Sequence, residues 1–165
     1  MADSSDTDLF EAFLDSWNRN NRILLNLLGA LPDEALQIRA MEGSPSIAEL
    51  LAHMHSVRMV FVHENAPEFV PESLEKEWES ERDPQRLAQM LSESVQVVGE
   101  AVKARWLAGR DLDRHYDHPI LFLQHMIWHE GYHHGQIKLA LKLAGIPLTD
   151  KQVGRATWGV WMKKA

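Results

Sequence analysis

Four stretches of this chain place apolar residues at helical spacing, and proline or glycine punctuates each of them. The first runs from Asp8 to Leu31, with Leu9, Phe10, Phe13, Trp17, Leu24, Leu27, Leu28 and Leu31 on its stripe and Pro32 at its end. The second, about Ile47 to Asn65, opens on Ser46-Ile47-Ala48-Glu49, which reads as a capping box. Its apolar face holds Leu50, Leu51, Met54, Val57 and Phe61. The third begins at Asp83-Pro84, a cap residue followed by proline at the first helical position, and reaches about Ala108 before Gly109. Leu87, Met90, Leu91, Val95, Val98, Val102 and Trp106 form its stripe. The fourth opens at Pro119 and closes at Gly145, with Pro147 just beyond. No stretch reads as a strand. The pattern predicts an all-α fold, a four-helix bundle.

At 165 residues the chain is long enough for one full core, so one domain spanning 1–165 is expected. The bundle would occupy about residues 8–147, with a tail at 148–165. Residues 1–6 read as a disordered lead-in ending in cap-type residues, Ser4, Ser5 and Asp6. The acidic connection 66–83 reads as a solvated excursion, with Phe69, Val70, Leu74 and Trp78 available to pin it. Trp158 and Trp161 suggest that the tail docks on the body or on a second subunit. Asn18, Asn20 and Asn21 interrupt the first stripe, either as a solvated face or as a polar patch inside the bundle.

Net charge is −7, and no basic stripe offsets it, which argues against nucleic acid or an anionic membrane as partner. No apolar run approaches the length of a membrane span, and the acidic N-terminus lacks the features of a secretory signal. With no cysteine, the chain can form no disulfide, thiolate nucleophile, Cys-ligated zinc site or iron–sulfur cluster. A soluble, cytoplasmic protein is expected.

The chemistry concentrates in the fourth stretch, which carries His125, His129 and His133 at steps of four. Such residues share one helix face, about 6 Å apart along the axis. An i, i+4 pair of imidazoles can hold one metal ion, and an open site needs a third protein ligand. His53 is the best candidate, because an unpaired imidazole on a face otherwise built for burial would be costly. His125 competes, but three consecutive turns of a straight helix span too far for one ion, so it is placed outside the coordination sphere. His55, His63, His115, His118 and His134 are read as solvated.

His129-Glu130-Gly131-Tyr132-His133 also fits H-E-x-x-H, in which Glu130 would be the general base of a zinc peptidase. That reading lacks a strand to bind a peptide, and downstream only Asp150 offers an acidic third ligand. A solvated, histidine-rich helix is the bland alternative.

The string His129-x-x-x-His133-His134-Gly135-Gln136-Ile137, together with Leu50-Leu51-Ala52-His53, resembles the signature of the DinB/YfiT-like metalloprotein family. The resemblance covers roughly residues 8 to 147, with His134 standing where the family commonly has arginine. It implies a four-helix bundle, a three-histidine site for a divalent ion, usually zinc or nickel, and often a homodimer. It also implies a small-molecule substrate. Members with known activity include S-transferases and isomerases that use a low-molecular-weight thiol.

The sequence therefore leads to a metal-binding bundle with His53, His129 and His133 as ligands, acting as a thiol-dependent S-transferase or a hydrolase. Glu130 and His125 are expected as proton carriers or orienters, and Gln136 as a hydrogen-bonding contact to a bound ligand. The alternative is a non-catalytic structural or sensing dimer, whose site would be closed by a fourth ligand such as His125 or Glu130.

Overall fold

The computed structural model describes residues 4–32, 34–70 and 80–162, without side chains for 4–6. Four long helices carry the fold: α1 (Ser4–Gly29), α2 (Ile47–Asn65), α3 (Pro84–Leu107) and α4 (Pro119–Leu143). A short α5 (Asp150–Val153) and a 3-10 turn (Trp158–Met162) form the tail. The described residues contain no strand, only an isolated bridge between Arg39 and Ser46. The all-α bundle expected from the four stripes is the fold observed, and no described helix is long and apolar enough to cross a membrane.

The helix ends follow from the residues at them. At α2, Ser46 Oγ accepts from the Glu49 amide, and the Glu49 carboxylate accepts from the Ser46 amide at 2.7 Å. Asp83 caps α3 by accepting from the Gln85 amide, with Pro84 at the position where no amide is needed. His118 caps α4 through Nδ1, which accepts from the Ile120 amide at 3.2 Å. At the other end of α4, Gly145 adopts φ 80, and Ile146 N–H returns to the Leu141 carbonyl. α1 begins earlier than its apolar stripe, at Ser4, and stops at Gly29, before the residue that Pro32 would force out of helical geometry. The part of the lead-in at residues 1–3 lies outside the described residues.

The core has two apolar halves. One packs Leu24, Leu27, Ile47, Leu51, Met54, Leu87, Leu91, Ile137 and Leu141. The other packs Phe10, Trp17, Val62, Val95, Val98, Val102, Phe122, Leu123 and Met126. Between them, at the same level of every long helix, lies a polar layer: Asn20 and Asn21 on α1, Arg58 on α2, Ser94 on α3 and Glu130 on α4, all buried. Asn20 and Asn21 are thus a patch inside the bundle, not a solvated face.

Of the residues expected to pin the 66–83 connection, Phe69 and Val70 pack against the second half of the core. Leu74 and Trp78 lie outside the described residues. The tail returns to α1, where Arg19 donates to the Val160 carbonyl at 2.9 Å and Asn26 to that of Ala156 at 2.6 Å. Its buried anchors are Val153, Thr157 and Val160, whereas Trp158 and Trp161 stay 49% and 41% exposed. Trp158 and Trp161 line one cavity with Ile23 and Leu24 of α1 and Ile127 of α4, so the tail docks on the body.

Candidate metal centre

α2 and α4 pack side by side, which brings His53 against His129 and His133. The ring centroids lie 5.3 Å apart for His53 and His129, 4.9 Å for His53 and His133, and 4.4 Å for His129 and His133. One ring nitrogen from each lies within 4.8 Å of the other two. The helical step of four accounts for the second pair, and only helix packing accounts for the first.

The nitrogens also face the right way. His133 Nδ1–H donates to Gln136 Oε1 at 2.7 Å, which leaves Nε2 bare and aimed at His129 Nε2, 3.0 Å away. Two lone pairs at that distance repel unless a proton or a cation lies between them. Two ligands each at about 2.1 Å from a tetrahedral zinc ion sit about 3.4 Å apart, so the two nitrogens lie within a few tenths of an ångström of a ligand pair's spacing. Metal binding needs neutral imidazole. Burial, then the neighbouring His133, holds His129 down to about 4, and burial and His133 lower His53 as well. On the donor set the residues present suit a borderline divalent ion such as zinc or nickel. Within this group His133 is buried, His129 half-buried and His53 exposed. The expectation that His53 sits on a buried face is therefore corrected: its outer edge opens to solvent, and the site lies at the rim of the bundle.

His125, one turn before His129, has its ring 6.4 Å from that of His129 and is not among the converging three. Its Nδ1 accepts from the Tyr116 hydroxyl at 2.6 Å. Burial and the Glu64 carboxylate push Tyr116 up to about 12, so the phenol keeps its proton and donates. Gln136, expected to meet a bound ligand, instead orients His133.

Glu130 departs furthest from expectation. It is fully buried, and its carboxylate takes two bonds from Arg58, Nε to Oε1 at 2.6 Å and Nη2 to Oε2 at 2.9 Å. Asn20 donates to Oε2 at 2.5 Å. A carboxylate bonded through both oxygens and closed off from solvent is not placed to meet a substrate or a bound water, which is what the expected proton-carrying role and the H-E-x-x-H reading require. The physical reason is position: a residue one step from His129 points about 100° round the helix, toward the core.

His55, His115 and His118 also have partners. His55 is buried and donates Nδ1–H to the Met90 carbonyl at 2.8 Å, and His134 is half-buried with burial lowering it. Neither is solvated as expected. His115 pairs with Glu64 at 2.9 Å, and His118 is the α4 cap. Arg58 and Tyr116 were missed. Arg58 had a signal: it stands in register with Ile47, Leu51, Met54 and Val62, and a charge inside an apolar stripe needs a buried partner. Tyr116, in a polar connection, had none.

An all-α bundle with three imidazoles converging from two helices defines a class of compact helical proteins with a histidine cluster at the rim that could hold a divalent ion. The particular family is shown by the sequence itself: the DinB family profile matches residues 1–158, and the chain belongs to that family. No curated protein and no solved structure matches the chain.

Proposed function

We propose that this chain holds one divalent cation, zinc or nickel, on His53, His129 and His133, and that it acts on a small-molecule substrate at that ion. The convergence of three imidazoles within 4.8 Å carries the reading. When bound, such an ion supplies Lewis-acid chemistry, lowering the proton affinity of a small thiol or a water molecule near neutral pH. Thiol-dependent S-transfer and hydrolysis are the two reactions this would serve.

The chain's own residues do the positioning. Gln136 fixes the His133 tautomer and turns its Nε2 to the site. Tyr116 donates to His125 Nδ1 and so fixes that ring's tautomer and orientation beside the cluster. The Arg58–Glu130 pair ties α2 to α4 and so sets the distance from His53 to the other two rings.

Two observations favour a working site over a closed structural one. The group contains three histidines and no carboxylate among the described residues. The two residues that could have closed it are engaged elsewhere, His125 by Tyr116 and Glu130 by Arg58. The test is a panel of low-molecular-weight thiols and activated esters presented to the zinc- and nickel-loaded protein. Turnover that disappears in His133→Ala supports the reading. Metal-loaded protein that turns over neither class, or activity untouched in His133→Ala, contradicts it.

A further inference from the structure

The tail closes a cavity of about 200 Å³ against α1 and α4, well round α4 from His129 and His133. Three elements build it. α4 supplies Ile127, Gly131 and His134, at steps of four and three that share one helix face. α1 supplies Asn20, Ile23 and Leu24 in the same way. Trp158 and Trp161 of the tail, three residues apart and both part-exposed, stand at the outer edge.

Two observations mark this cavity as more than loose packing. Gly131 lies in the interior of α4, where glycine is destabilising relative to alanine. A Cβ there would meet no atom within 4 Å, so packing within the chain does not call for glycine. Its effect is to keep the cavity open. His134, part of the same wall, has a ring nitrogen, Nε2, that is closed off from solvent and has no hydrogen-bond partner. A buried polar atom left in that state costs stability, and a bound group that pairs with it removes the cost.

We propose that this cavity binds one small, uncharged aromatic molecule carrying a hydroxyl, with the ring beside the two indoles and the hydroxyl on His134. Size sets the first limit: a cavity of about 150 Å³ takes benzene, so this one takes a single ring with one or two substituents. Charge sets the second. Among the described residues no lysine or arginine lines the cavity, so an anion finds no counter-ion. The one acid in the wall, Glu130, is already paired with Arg58, so a cation finds none either. The flat apolar faces of Trp158 and Trp161 favour a ring over a flexible chain. A hydroxyl both donates and accepts, so it satisfies His134 in either tautomer. Occupancy of the cavity needs no metal.

Calorimetric titration of the metal-free full chain at neutral pH tests this, with p-cresol, p-xylene and 4-methylbenzoate as probes. p-Cresol should bind one per chain. p-Xylene, of the same shape without the hydroxyl, should bind about tenfold more weakly, and the benzoate not at all. His134→Phe should bring p-cresol down to the affinity of p-xylene. Gly131→Leu, which fills the floor, should lose p-cresol while melting no lower than wild type. Should Gly131→Leu not fold, Trp161→Ala takes its place, and loss of binding there supports the proposal equally. A wild type that binds no p-cresol, that binds p-xylene or the benzoate as tightly, or whose affinity survives in the folded Gly131→Leu or its replacement, overturns it.

Discussion

Arg58 on α2 and Glu130 on α4 form a two-pronged ion pair at 2.6 and 2.9 Å with neither side chain exposed. The remaining nitrogen of Arg58 is used as well: Nη1 reaches Asn21 Oδ1, the Leu91 carbonyl and Ser94 Oγ, and the guanidinium lies 4.7 Å over the Trp17 ring. One arginine therefore touches all four long helices at the level where the apolar core is interrupted. Its partner is the immediate neighbour of His129, so the pair also joins the two helices that carry the candidate site.

Breaking that pair should cost more than removing it. Arg58→Met leaves a buried carboxylate uncompensated and should destabilise the fold by about 3–5 kcal/mol. Arg58→Met combined with Glu130→Met should recover part of that loss. Urea unfolding of the single and double variants measures both. A double variant no more stable than the worse single would mean that the pair is not the coupled unit described.

Gln136 acts on the site through His133. Gln136→Ala should lower metal affinity about 10- to 100-fold, because the ring loses the acceptor that holds its tautomer. Calorimetric titration with zinc reads the change. Unaltered affinity would detach Gln136 from the site.

Acid should weaken the metal-free protein before its carboxylates titrate. Burial, the leading cause in each case, holds His129, His53, His55 and His134 below the ordinary 6.5, with His129 at about 4. The unfolded chain therefore takes up protons first as pH falls. Stability is full above about 6.5 and drains away as pH falls toward about 4. His129→Gln should flatten part of that slope. Denaturant unfolding at a series of pH values checks it, and stability that stays level until the carboxylate range would contradict the burial of these rings.

His55 separates structural from functional imidazoles. His55→Ala removes a buried bond to the Met90 carbonyl and should cost about 1–3 kcal/mol, with metal stoichiometry unchanged. A variant that folds normally but loses its metal would show that the wrong α2 histidine has been assigned.

Much of the bundle was legible in the residues because helix ends are local events. Ser46 with Glu49, Asp83 with Pro84 and Pro119 with Gly145 each satisfy or remove backbone donors and acceptors within a few residues. The His129–His133 pair was legible for the same reason, as a consequence of helical pitch. His53 could be joined to them only by argument, since no local rule says which face of α2 meets α4, and its exposure was misjudged on that account. Glu130 was misread because a motif names residues but not directions: the sequence cannot say that an arginine on another helix waits for it. The same blindness hid the bond between Tyr116 and His125, and made His55 and His134 look solvated. Trp158 and Trp161 pointed to a docked tail, whose most buried residues are the smaller Val153, Thr157 and Val160.

The most direct test is elemental analysis of purified wild type beside His53→Ala, His129→Ala, His133→Ala and His125→Ala, after equilibration with zinc or nickel and removal of free ion. One ion per chain in the wild type and in His125→Ala, with strong loss in each of the other three, is the predicted result. Wild-type protein without metal, or full occupancy in His53→Ala, His129→Ala or His133→Ala, would contradict the assignment of those three rings to a single ion.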